Sequence, residues 1–123
     1  MEFSICIDVD DVDRAVVFYG RGLGLTVVEC HPDWAHLKLD AQTFWIMKAA
    51  AGAQRQISRD YRRHWTPVHL DFTVKDIDAA VGRAIDAGGK LEGEVQRGAK
   101  GALANLSDPR AGNGVDLVCP VGK

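Results

Sequence analysis

The sequence has no excess of basic charge, no long apolar run and no paired-cysteine motif, and each gap closes off a class of function. Lys and Arg number 15 against 17 Asp and Glu, a formal net charge of −2, whereas a nucleic-acid-binding surface usually shows as a strong basic excess. No stretch reaches the roughly 18 consecutive apolar residues that a membrane helix needs. Neither nucleic acid nor a membrane is therefore an expected partner. The opening MEFSICIDVDD has no basic region and no apolar core followed by small residues, so a signal peptide is not expected there. Cysteine is scarce and odd in number: Cys6, Cys30 and Cys119 lack metal-type spacing, the pattern of reduced structural thiols in a cytoplasmic protein. The glycines of Arg97-Gly98-Ala99-Lys100-Gly101 lack the flanks of a phosphate loop and read as a hairpin turn.

What the chain does have is a repeat. IDVDDVDRAVVFYGRGLGLTVVE in the first half returns as LDFTVKDIDAAVGRAIDAGGKLEGE in the second, 65 positions on. Val9 falls on Val74, Asp11 on Asp76, Val12 on Ile77, Asp13 on Asp78, Ala15 on Ala80, Val16 on Val81 and Gly24 on Gly89. An internal duplication fixes architecture before any local reading does. The 123 residues, 46% hydrophobic and 26% charged, suit one globular domain with a sizeable core. Module one spans 1–48, a polar connector 49–66 and module two 67–123.

Each module reads as strand, helix, then three strands. In residues 3–9, Phe3, Ile5, Ile7 and Val9 alternate with Ser4, Cys6 and Asp8, the period of a half-buried strand. Asp10 or Asp11 caps a helix that carries Val12, Ala15, Val16 and Tyr19 on its core face and stops at Gly22 and Gly24. Strands follow at about 25–30, 34–39 and 43–48. In the second module Pro67 opens a strand running to Val74, Asp76 caps a helix ended by Gly88-Gly89, and strands follow near 91–95, 101–107 and 115–119. In the connector, Arg55, Arg59, Arg62 and Arg63 have the spacing of one face of a short helix, and Trp65 packs it down. Asp108-Pro109 marks a turn, with Gly112-Asn113-Gly114 supplying positive-φ positions.

Two such βαβββ modules, with DDVDRAVVFYGRGLGL in the first and HLDFTV, a capped helix and AGG in the second, resemble the vicinal oxygen chelate superfamily. It includes glyoxalase I, extradiol dioxygenases, methylmalonyl-CoA epimerase, fosfomycin-modifying enzymes and bleomycin-sequestering proteins. The resemblance implies an α+β fold in which the module sheets curl into a half-barrel with helices on the outside. It also implies a homodimer. Metal-dependent members take ligands from the first and last strand of each module, which on this chain are Ser4 and Met47 in module one and His69 and Asp116 in module two. A methionine thioether and a serine hydroxyl suit a hard or borderline ion poorly. No resident metal is therefore expected, and His69 with Asp116 are the two residues available to a divalent ion.

The remaining candidates come from strand parity. If the apolar face of each first strand packs on a helix, the opposite face gathers Ser4, Cys6, Asp8, Trp45, Met47, His69, Asp71 and Asp116, joined by Trp34 and His36. His69 and Asp71 are two apart on one strand, so the carboxylate can orient the imidazole for general acid–base work on a small carbonyl compound. The resulting expectation is a glyoxalase-like lyase or isomerase with His69 as the catalytic group, an extradiol-type dioxygenase being the more distant enzyme class. Ser4, Trp34, His36, Trp45, Met47, Asp71 and Asp116 are the expected binding residues. The alternative from another class is a metal-free protein that sequesters a small molecule against its tryptophans.

Overall fold

Strand β1 (Ser4–Val9) leads into helix α1 (Val12–Val16), which continues as a π-helical turn (Val17–Gly22); β2 (Thr26–Cys30), β3 (Trp34–Leu39) and β4 (Gln42–Lys48) complete the first module. The second repeats the order as β5 (Leu70–Thr73), α2 (Ile77–Asp86), β6 (Lys90–Gly98), β7 (Gly101–Ser107) and β8 (Gly114–Pro120). These elements are those of a computed structural model that describes residues 1–50, 60–64, 66, 68–110 and 112–122. Each module forms its own four-stranded sheet, ordered β1-β4-β3-β2 and β5-β8-β7-β6, with the outer pair β1·β4 or β5·β8 parallel and the rest antiparallel. The architecture is the α+β, two-module curled-sheet fold that the resemblance implies. Among the described residues no helix is long and apolar enough to cross a membrane.

Alternation sorts each sheet into two faces. Val9, Ala35, Leu37, Phe44 and Ile46 of the first sheet, and Ala104, Leu106, Val115 and Leu117 of the second, are buried in one core cluster with Val12, Ala15, Phe18 and Tyr19 and with Ile77, Ala80, Val81 and Ala84. The helices therefore lie on one face of each sheet, and the residues between these positions point the other way. Both helices start as the sequence suggests. Asp11 Oδ1 accepts from the Arg14 amide at 3.1 Å and Asp76 Oδ1 from the Ala79 amide at 3.1 Å, each cap contributing about 1 kcal/mol.

The helices end differently. From the cap Asp11 to the positive-φ Gly24 is 13 positions, whereas from Asp76 to the positive-φ Gly88 is 12. The first module carries one extra residue, and the chain absorbs it as the π-helical turn, the usual form of a one-residue insertion into a helix. Gly24 thus corresponds to Gly88, not to Gly89. α2 packs against that turn, and here glycine is required by contact: a Cβ on Gly89 would run into the Phe18 ring, and one on Gly22 would stand 2.8 Å from the Ala87 Cβ.

A buried polar contact ties the same junction. Tyr19 Oη donates to Asp108 Oδ2 at 2.7 Å, and Asn113 donates to Asp108 from its amide N (2.9 Å) and its Nδ2 (2.9 Å). Burial, the nearby Asp108 charge and this hydrogen bond hold the Tyr19 phenol well above its ordinary pKa, so it stays a donor. Tyr19 is helix core, as expected, and in addition a latch between modules.

Several boundaries move. The strand read as 67–74 is shorter, so His69 lies one residue ahead of β5. β6 is longer than expected and carries a register shift between Glu92 and Gln96. Among the described residues of the turn after β7, those with positive φ are Arg110 and Gly112, with neither Asn113 nor Gly114 among them. The proposed connector helix, with Arg55 and Arg59, falls outside the described residues, as do Trp65 and Pro67. Arg62 and Arg63 are not helical and pair with Asp60 and Glu92.

Candidate functional site

β5, β7 and β8 build a concentrated polar site. His69 reaches it from the residue before β5, Asp71 from β5, Asp116 from the paired position on β8, and Asn105 from the position beside Asp116 on β7. All four sit on the face turned away from α2, because the alternate residues Leu70, Phe72, Val115, Leu117, Ala104 and Leu106 belong to the core or pack on it. His69 Nδ1 stands 3.0 Å from Asp71 Oδ1 and 3.4 Å from Asp116 Oδ2. Asn105 Nδ2 donates to Asp116 Oδ1 at 2.7 Å, fixing that carboxylate with its second oxygen turned to the imidazole. His69, Asn105 and Asp116 line a cavity of about 200 Å³ with Arg63, Thr66, Glu92 and Gly114.

Arg63 closes one side. Its Nε donates to Glu92 Oε2 at 2.6 Å and its Nη2 to Glu92 Oε1 at 3.1 Å, a two-point pairing that is among the stronger charge-assisted geometries. This bond holds the guanidinium above its ordinary pKa, aided by the Asp108 and Asp116 charges. Gly114 leaves room for it, since a Cβ there would fall 2.7 Å from Arg63 Nη2.

The structure brings together His69, Asp71 and Asp116 and leaves the other sequence candidates on the first sheet. Ser4 pairs with Thr43 at the start of β1, and Trp34, His36, Trp45 and Met47 lie on β3 and β4. Met47 is not the counterpart of Asp116. Asp116 opposes Asp71, whose repeat partner is Cys6, and Cys6 opposes Trp45. One row across each sheet can thus be compared position by position: Cys6, Trp45, His36 and Glu29 in the first, Asp71, Asp116, Asn105 and Glu92 in the second. Asn105 and Glu92 went unnoticed in the sequence. Asn105 had a legible signal, as it falls on the alternation of ALANLS between the buried Ala104 and Leu106. In the sequence, Arg63 stands out only as part of a helical arginine face.

Donor chemistry decides whether the site suits the metal that the superfamily often carries. The ligand atoms of His69, Asp71 and Asp116 all lie within 4.8 Å of one another, and they are the one such group of three among the described residues. One imidazole nitrogen with two carboxylates suits a hard or borderline divalent cation, and three protein ligands are the usual number for a catalytic site. Asp71 supplies a third donor beside His69 and Asp116, the two that the resemblance makes available, so the residues fit. Ser4 and Met47 take no part in this group.

The glyoxalase-like domain family matches residues 4–118. The chain belongs to this family. Among solved structures, this glyoxalase-like chain is similar to the fosfomycin resistance protein FosX from Listeria monocytogenes (14% identity, 100% of this chain and 93% of that one, TM-score 0.74). It is also similar to a glyoxalase/bleomycin resistance protein/dioxygenase from Alicyclobacillus acidocaldarius (20% identity, 98% and 92%, TM-score 0.68). A third is the bleomycin-binding protein of Streptomyces verticillus, solved with copper(II)-bleomycin (18%, 97% and 95%, TM-score 0.59). At these identities the likeness establishes the fold. No curated protein sequence matches the chain. The glyoxalase-like fold and the superfamily expected from the resemblance are thereby shown.

Proposed function

We propose that this glyoxalase-like protein is an enzyme of the lyase or isomerase type that moves a proton on a small oxygenated substrate, with His69 as its acid–base group. The observation that carries this reading is the pair of carboxylates converging on one imidazole nitrogen beside a small polar cavity. Asp71 and Asp116 at Nδ1 favour the tautomer with the proton there, which leaves the basic lone pair on Nε2. That lone pair would take a proton from a carbon next to a carbonyl, and the two carboxylates would stabilise the imidazolium formed. Asn105 keeps Asp116 in place, and Arg63 brings positive charge to the wall against which an enolate oxygen would develop. The same three donor atoms fit a divalent cation, whose chemistry when bound would be polarisation of a substrate oxygen.

Two further parts of the reading rest on the surface. β1 and β5 are edge strands of their sheets, and Phe3 and Val68, at their leading ends, are 77% and 79% exposed. Ile5, Phe44, Leu70 and Phe72 line an apolar cleft of about 240 Å³ between those edges. A second copy would cover this region, which supports the homodimer. Cys6, Cys30 and Cys119 are all free thiols, which fits a reducing cytoplasm.

The test is α-proton exchange. A panel of α-hydroxy and α-oxo carbonyl compounds is incubated with the protein in D2O and followed by proton NMR, beside His69→Gln and with and without added Mn²⁺, Ni²⁺ or Zn²⁺. Wild-type protein should exchange at least one compound, and His69→Gln should lower that rate by about 10²–10⁴. No exchange across the panel under any metal condition, or undiminished exchange by His69→Gln, overturns the assignment.

A further inference from the structure

The inner strands of the two sheets seal their share of the core, and β1 and β5 do not. Ala35, Leu37, Phe44 and Ile46 of β3 and β4, and Ala104, Leu106, Val115 and Leu117 of β7 and β8, are at most 2% exposed. Ile5 and Ile7 of β1 and Leu70 and Phe72 of β5 also turn to the core, yet they are left half-buried. β1 and β5 belong to different sheets and share no ladder. The seam between them holds the cleft of about 240 Å³, walled by Ile5, Leu39, Phe44, Leu70 and Phe72. Native interiors keep few voids larger than a water molecule, so a gap of this size at the join of the modules asks for an occupant.

Size and lining identify the kind of occupant. An apolar cavity of about 150 Å³ takes benzene, and this cleft is larger and is walled by the same side-chain types. It accommodates a phenyl ring or a chain of about six carbons. Of the described residues along it, Asp71 alone carries a charge.

Asp71 also joins the cleft to the acid–base cluster. Its Oδ1 stands 3.0 Å from His69 Nδ1, and Leu70, between the two in sequence, lines the cleft. A molecule with its polar head at the imidazole needs to cross only the free edge of β5 to place an apolar tail against Leu70 and Phe72.

We propose that the cleft between β1 and β5 receives the apolar tail of a small carbonyl compound whose polar head lies at His69. The position of the head rests on the acid–base reading; the tail site does not. A second copy seated on Phe3 and Val68 would roof the cleft, and the tail would fill it.

Butan-2-one, hexan-2-one and octan-2-one test this. Ligand-observed NMR gives their dissociation constants, and the His69 ring proton, identified as the resonance missing from His69→Gln, reports the head. Each added methylene should tighten binding about three- to fourfold, and the His69 resonance should move with every ketone. Leu39→Trp, at the exposed rim, and Leu70→Phe narrow the cleft and should flatten the length dependence; either suffices should the other fail to fold. His69→Gln should keep it. Because binding is read without turnover, a length dependence found in protein that exchanges no α-proton upholds the tail site while the acid–base assignment falls. Affinity independent of chain length, a length dependence unchanged in both narrowed variants, or a His69 resonance that no ketone moves overturns the proposal. So does a length dependence that fades at high protein concentration, since a second copy would then be filling the cleft itself.

Discussion

The two modules of this chain are copies that agree on one face and disagree on the other. Toward the helices both present small and branched apolar residues at matching strand positions, and these merge into one core. On the opposite face, the row Cys6–Trp45–His36–Glu29 of the first sheet occupies the positions of Asp71–Asp116–Asn105–Glu92 in the second. One row stacks rings; the other hydrogen-bonds carboxylates around an imidazole. Only the outer glutamate is common to both, and it is held by His31 in the first module and by Arg63 in the second. The fold needs just the inner face. After duplication the outer faces were free to take separate chemistries, which is how one scaffold comes to host unrelated sites.

The comparison is broken most severely at the junction of the copies. Phe18 is fully buried, meets Tyr19 edge-on at 4.9 Å and fills the space that Gly89 leaves. Phe18→Ala should cost about 3–5 kcal/mol in chemical denaturation, the usual cost of emptying an aromatic site in a core. A cost below about 1 kcal/mol would mean that the modules are not held together here.

A smaller effect, on rate, sharpens the difference between the outer faces. Asp71 and Cys6 are repeat counterparts in equivalent registers, yet only Asp71 touches His69. Asp71→Asn should lower α-proton exchange by about 10–100-fold, as removal of an orienting partner commonly does. Cys6→Ser, which exchanges an exposed thiol whose ionisation partial desolvation and the nearby Asp8 charge already disfavour, should leave exchange within about twofold. Equal effects at the two positions would show that the faces have not divided their roles.

How far this was legible in the sequence follows the same division. The inner face repeats, so alternation in residues 3–9 and the paired caps Asp11 and Asp76 locate β1 and the starts of both helices to within a residue. The outer face does not repeat, and there the offset of 65 could not show that Trp45, instead of Met47, stands where Asp116 does. That correspondence depends on pairing between strands, and no local pattern encodes it. The π-helical turn was hidden for a related reason: one extra residue between Asp11 and Gly24 leaves the helical spacing of Val12, Ala15 and Val16 intact. His69 and Asp71 were readable as neighbours because they lie two apart on one extended segment. Arg63 and Glu92 were not, being 29 positions apart in a connector and an edge strand.

The smallest effect tests which form of Asp108 the junction prefers. Burial raises its carboxyl above the ordinary value of 3.8, with the nearby Asp10 adding to the rise, while hydrogen bonds from Asn113 and Tyr19 pull the other way and do not win. The folded protein therefore holds this proton more tightly than the unfolded chain does. Stability drawn from the group is fully present below the unfolded value near 3.8 and is lost as pH rises through the raised folded value. Asp108→Asn cannot titrate and replaces one acceptor with a donor facing Tyr19 and Asn113, so it should be less stable than wild type by about 1–3 kcal/mol at pH 4. The gap should narrow as pH rises, because wild type alone loses its protonated form, and denaturation from pH 4 to 7 reads this directly. A gap that widens with pH would mean that the ionised carboxylate, gripped by Tyr19 from the first module and Asn113 from the second, is the favoured state. The latch would then work as a charge-assisted clamp, with hydrogen bonding stronger than burial.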